Sequence, residues 1–348
     1  MWRKANSADQ LCSLRNKPGL CYRQCSSKMT NAVESQNNIT AKLGLLESVM
    51  FATLTTVPYC VFFFINVTML FTLRSETVFR ETSRYVLLFN LLFADTVQMA
   101  LSQLSYLLAA CTIWLTYPVC GVLTMLANLT NLISLFTLVV MSLERFVAVC
   151  YPLRHSTIIT IRNTKVAIFV VWTFNSLNIL IQVILLSDFP FEDLETLQMK
   201  DFCTRERMLL GPMSVVYHKT STYFVFVSVV VVVTSSYIGV IIAARSASTN
   251  KASAQKARNT LLLHLVQVGL MILSSLYIPV AIAISKFLNR LIFLRIVNVI
   301  YVCIVIFPRC LSSLIYGIRD QTIRPVLICH LCCGLKLLID PAKAKFST

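Results

Sequence analysis

Residues 220–245 read TSTYFVFVSVVVVVTSSYIGVIIAAR, with no charged side chain until Arg245 closes the run. About 20 mostly apolar residues in a helix cross a hydrocarbon core roughly 30 Å thick, because each adds about 1.5 Å. The uninterrupted valines from Val229 to Val233 do not alternate as a strand of a membrane β-barrel must. The segment therefore predicts a spanning helix. Six further segments of the same kind lie at 48–73, 82–110, 117–150, 163–187, 257–285 and 291–316. The predicted fold is all-α and integral to the membrane, a seven-transmembrane helix bundle. The longer spans tilt or protrude from the bilayer.

Composition agrees. Of 348 residues 57% are apolar and 13% charged, against about 45–50% and about 25% in an ordinary soluble domain. The net charge of +16 does not signal nucleic acid, whose recognition needs basic residues clustered on one folded, water-exposed face. Here long apolar stretches separate the charges, so they report topology and a lipid-bilayer partner. Lys and Arg near span ends stay cytoplasmic. With the amino terminus outside, the inner loops and tail hold sixteen of them and the outer loops seven. That topology places residues 1–47 outside as a tail, 48–316 in the membrane domain and 317–348 inside as a tail.

Residues 1–28 run against this count, with Arg3, Lys4, Arg15, Lys17, Arg23 and Lys28 opposed only by Asp9. The composition changes at Met29, which points to Met29 as the natural start and 1–28 as an upstream extension. The sequon Asn38-Ile39-Thr40 before the first span is a glycosylation site on an outer tail. Asn66-Val67-Thr68 and Asn128-Leu129-Thr130 lie inside spans and are not. No apolar run in residues 1–42 resembles a cleaved signal, so the first span serves as one.

Of thirteen cysteines, Cys120 opens the third span and Cys203 lies in the second outer loop, an oxidising environment where a disulfide persists. A bridge between them pins that loop over the bundle mouth; the alternative is two free thiols. Cys329, Cys332 and Cys333 follow the last span and are candidates for S-palmitoylation, anchoring a short amphipathic helix to the inner leaflet. Pro325 is expected to interrupt that helix.

Arg145 lies twenty-five residues after Cys120, in the string from Met141 to His155, MSLERFVAVCYPLRH, which resembles the end of the third helix of rhodopsin-like (class A) G-protein-coupled receptors. Asn66, the run Leu92-Phe93-Ala94-Asp95, Trp172, Tyr237 and Tyr316 match the family's characteristic positions in the first, second, fourth, fifth and seventh helices. Longer strings, from Glu81 to Asp95, Leu143 to Thr164, Tyr237 to Leu265 and Phe307 to Gly317, are similar to a fish odorant-receptor subfamily. The likeness covers residues 45–335. Three departures set the chain apart from the mammalian branch. Ser312-Ser313-Leu314-Ile315-Tyr316 replaces Asn-Pro-x-x-Tyr, with Pro308 one turn earlier; the second outer loop has one cysteine; and the acid before Arg145 is Glu144.

The resemblance implies a receptor, not an enzyme, with no cofactor, a small-molecule odorant outside and a heterotrimeric G protein inside, of the olfactory stimulatory type, in the plasma membrane of olfactory cilia. Arg145 pairs with Glu144 at rest and meets the G protein when the sixth helix swings out. Tyr237, Tyr316 and His264 belong to the same switch, although His264 reads more readily as a structural histidine than as a pH-sensitive one. The family's intramembrane sodium sits on the aspartate matched by Asp95, helped by a serine matched by Ser134. This chain has an unusual addition, because Arg309, seven residues before Tyr316, falls at that depth. Its guanidinium replaces sodium as the counter-ion of Asp95, so no metal is expected; the competing reading has Arg309 snorkel to the inner interface. Asn66 and Ser312 complete the expected polar network.

The position that carries an ammonium-binding Asp in amine receptors is Ala127, which argues against a biogenic amine. Asn128 and Asn131 flank it, facing a pocket between helices three, five and six or else bonding helix to helix. A transporter is disfavoured by eight glycines in all and no internal repeat. An enzyme is disfavoured by four scattered histidines. The runner-up within receptors is a class A receptor for a lipid, peptide or other non-odorant ligand.

Overall fold

The computed structural model describes residues 49–50, 52–111, 113, 115–187, 203, 205, 208–209, 211–246, 259, 262, 265–274, 277–320 and 322–339. The chain divides into residues 1–52, of which only 49, 50 and 52 are described, and residues 53–348, which hold the bundle. Among the described residues, five helices are long and apolar enough to span a membrane: α1 (Ala52–Ser75), α2 (Ser83–Ala110), α3 (Tyr117–Cys150), α4 (Ile161–Ser187) and α5 (Pro212–Ser246). The sixth, α6, is described as Leu265–Ser274 and Tyr277–Ser285. The seventh, α7, runs as Arg290–Ile300, a π-helical Tyr301–Ile306, and Phe307–Arg319. A last helix, α8, spans Ile323–Ile339.

Apart from the start of the sixth span, predicted at 257 in a stretch that is only partly described, these bounds fall within a few residues of the predicted spans except at α5, which starts eight residues before the predicted position 220. His218 and Lys219 depress the hydropathy of its first two turns. Pro212 opens the helix where a missing N–H costs nothing. Pro308 explains the break in α7. A proline inside a helix has no N–H for the carbonyl four residues back and its ring crowds that carbonyl, here Ile304, and the wider π turns relieve the clash. The distortion lies one turn before the site where the family pattern puts it.

Pro325 does not interrupt α8 as expected. It stands third in the helix, where its absent N–H has no intrahelical acceptor to lose. The Asp320 carboxylate caps the same turn, its Oδ1 accepting from the N–H of Thr322 (3.0 Å) and of Ile323 (3.3 Å).

α3 is the central post, packing against α2, α4 and α5. Leu88, Leu91 and Leu92 of α2 meet Leu135, Leu138 and Met141 of α3, Val229 and Val233 of α5, and Met271 of α6 in the core. Large apolar residues such as Phe71, Phe169 and Phe224 are exposed on the outer faces, where hydrocarbon covers them. Hydrophobicity cannot choose between lipid and a neighbouring helix, so buried polar side chains supply specific contacts. Asn90 of α2 shows this: its Nδ2 donates to Thr137 of α3 (2.8 Å), and its Oδ1 accepts from Trp172 of α4 (2.9 Å). Near the last turns of α3, that helix and α5 approach closely because position 239 is glycine, where a Cβ would collide with the Phe146 ring.

Candidate functional site

The centre of the bundle holds an ion pair. Asp95 on α2 is fully buried and Arg309 on α7 is 3% exposed, with Nη1 of the guanidinium 3.1 Å from Oδ1 of the carboxylate. The second terminal nitrogen donates to Oδ1 of Asn131 on α3. The Arg309 carbonyl accepts from Nδ2 of Asn66 on α1 (3.1 Å), and Ser313 one turn later donates to Oδ1 of Asn66. Ser134 is fully buried beside Asp95. Four spans therefore converge on two opposite charges. The π segment makes this possible, because it shifts the helical register of the residues beyond it, and Arg309 in the next turn points into the bundle. A single charge at mid-membrane costs about 2.5–3.5 kcal/mol on insertion scales; the pairing, and the Asn131 hydrogen bond to the guanidinium, offset that.

The end of the bundle where α3 runs into the Pro152–Arg154 turn carries a second cluster. Nε of Arg145 lies 3.1 Å from Oε2 of Glu144, and Nε2 of His155 lies 3.9 Å from Oε1 of the same carboxylate. The Tyr316 hydroxyl is a hydrogen-bond partner of Arg145, and its buried ring lies under the Arg84 guanidinium, 5.2 Å from ring centroid to Cζ. Arg84 also reaches Asp320 (3.3 Å), which accepts from the Tyr85 hydroxyl. Leu153, on the turn Pro152–Arg154 beside this cluster, is 95% exposed. Tyr237 is half-buried on α5.

Of the expected ligand residues, Asn128 donates to Oε1 of Gln182 on α4 (3.2 Å) and Asn131 is the partner of Arg309. Both amides are engaged between helices, and Ala127, which precedes them in sequence, is half-buried. A groove of about 440 Å³ lies higher, between α3 and α4, lined by Tyr117, Gly121, Met125, Leu129, Val183 and Met208. Its roof is held by the disulfide between Cys120 and Cys203, whose Cα atoms are 5.6 Å apart. Met208 packs on that bridge in the space left by the missing Gly121 side chain. Across the bundle, Tyr106 stacks on Tyr301 at 5.0 Å and donates to Asn298 (2.6 Å).

Sequence reasoning missed Asn90, Gln182, Ser313, Arg84, Asp320 and Leu153. Ser313 had a signal, since it lies four residues beyond Arg309 on one helix face, whereas Ser312 was expected in the network. The side chain of Ser312, those of Cys332 and Cys333, and residues His264 and Asn38 lie outside the described residues. Cys329 is an exposed free thiol on α8.

Residues 65–316 match the family model of the seven-transmembrane receptors of the rhodopsin family. Over 275 residues the chain is 30% identical to odorant receptor 131-2 of Danio rerio, covering 78% of this chain and 83% of that protein. Such receptors are multi-pass membrane proteins that take small-molecule ligands and couple to G proteins, and they are not enzymes. The chain belongs to the rhodopsin family of G-protein-coupled receptors, with a fish odorant receptor among its relatives.

Proposed function

We propose that the chain is an odorant receptor that binds a small, uncharged, weakly polar molecule within the bundle and activates a stimulatory heterotrimeric G protein. Its amino terminus faces outside and its carboxyl terminus the cytoplasm of the olfactory cilium. The observation that carries the reading is the inner cluster, in which Glu144, His155 and Tyr316 converge on or beside Arg145. Such a cluster holds Arg145 at rest and gives it up when the inner end opens, leaving a cation and the exposed Leu153 for a partner protein. The Danio rerio relative supports an odorant as ligand. Ala127 and the apolar lining of the outer groove favour a ligand without an ammonium group.

In the membrane centre, Arg309 acts as the resident counter-ion of Asp95, in the place of a sodium ion, and ties α2, α3 and α7 together at rest. Cyclic AMP measured in cells that supply an olfactory-type stimulatory G protein, during a screen of neutral odorants, tests the assignment. A neutral odorant that raises cyclic AMP supports it. Responses confined to another G-protein class, or to lipids or peptides, contradict it.

A further inference from the structure

The start of α4 presents four side chains on one face. Arg162, Lys165, Val166 and Phe169 follow the spacing i, i+3, i+4, i+7 that stacks residues along a helix, and with Ile161 they line an open groove of about 460 Å³. All four are exposed, Val166 at 55% and Phe169 at 70%. The stripe changes character along its length, which is roughly 10 Å at about 1.5 Å per residue: cationic at the helix start, apolar within the span.

Neither cation has an acidic partner among the described residues. Arg84, Arg145 and Arg309 each pair with a carboxylate, whereas no Asp or Glu occurs anywhere between Glu144 and Asp188. The first turn of α4 is capped from within, the Thr160 hydroxyl accepting from the Asn163 N–H (3.2 Å) and Nδ2 of Asn163 donating to the Ile158 carbonyl (2.8 Å). The two cations are thus left facing outward over an apolar strip, complementary to an amphiphile with an anionic head.

We propose that this end of α4 is a binding site for an anionic phospholipid, with Arg162 and Lys165 holding the headgroup and Val166 and Phe169 the first part of an acyl chain. The inference rests on the proposed orientation, which sets the start of α4 in the cytoplasmic leaflet where anionic lipids reside. The occupied site adjoins the second inner loop, whose His155 approaches Glu144. Bound lipid therefore steadies that loop.

The test is native mass spectrometry of the purified full chain in detergent, titrated with phosphatidylserine, with phosphatidylcholine, and with inorganic phosphate. The expected result is retention of phosphatidylserine over phosphatidylcholine, lowered roughly thirtyfold in Arg162→Gln/Lys165→Gln, as two interfacial cations imply. Phe169→Ala lowers it less, and Arg74→Gln/Arg80→Gln leaves it unchanged. The proposal is overturned by equal retention of the two lipids, by an equal loss in the Arg74/Arg80 variant, or by phosphate competing as well as lipid does. Both faces of the protein are open in detergent, so an error in orientation does not affect this readout. It appears instead in labelling of intact cells with a membrane-impermeant thiol reagent at Cys329.

Discussion

At Arg309 two costs are balanced. Burying a guanidinium and a carboxylate in hydrocarbon is unfavourable for each alone, and removing one partner of a buried pair typically costs about 3–5 kcal/mol, because the other charge is left uncompensated. A resident cation also makes a dissolved one redundant. Replacing sodium by a bulky organic cation at constant ionic strength should therefore leave the melting temperature of the purified, ligand-free protein unchanged; a sodium-dependent shift would show that the site still takes up the ion. Leu153 carries a separate expectation. Leu153→Ala should lower the maximal cyclic AMP response severalfold at unchanged surface expression, as measured by flow cytometry alongside the signalling assay. The acid and the arginine were legible in sequence because charges inside an apolar span stand out and Tyr316 fixes the depth of Arg309. The roles of Asn128 and Asn131 were not. An amide on α3 serves a ligand or a neighbouring helix equally well until the position of Gln182 and Arg309 around it is known.

At the level of elements, α7 and α8 depend on single residues at their breaks. Without the Pro308 ring, the Ile304 carbonyl regains an N–H donor and the π turns can close to α-helical ones. Pro308→Ala should slow amide hydrogen exchange across 304–310, read by mass spectrometry, and turn Arg309 away from Asp95; exchange as fast as in the unaltered chain would mean that the proline does not cause the break. Asp320 joins the α8 cap to Arg84 and Tyr85, so Asp320→Ala should cost at least about 0.5–2 kcal/mol, the range for a lost cap, and speed exchange in the first turns of α8. Helix existence was readable from hydropathy throughout. Breaks and starts were less so, because Pro325 and Pro308 look alike in sequence, yet one lies in a first turn with no bond to lose and the other comes after an unbroken helical stretch. The early start of α5 escaped for a different reason: His218 and Lys219 suit the interface but lower the average on which a span is recognised.

Over the whole molecule, α3 is tied at three levels: by the Cys120–Cys203 bridge at one end, by the network of the Asp95–Arg309 pair in the middle and by the Arg145 cluster at the other end. Cys120→Ser and Cys203→Ser should each reduce surface expression, and the double change should be no worse than either alone, since one bond is lost in all three. The middle level is the one that no resemblance supplies, and a double-mutant cycle interrogates it directly. Thermal stability of the purified receptor is measured for Asp95→Leu, Arg309→Met and the double change, with basal cyclic AMP recorded in parallel. Each single change should destabilise the resting bundle, and the double change should recover most of the loss, a coupling well above about 1 kcal/mol. Single effects that simply add would contradict this, and Arg309 would then not be the counter-ion of Asp95.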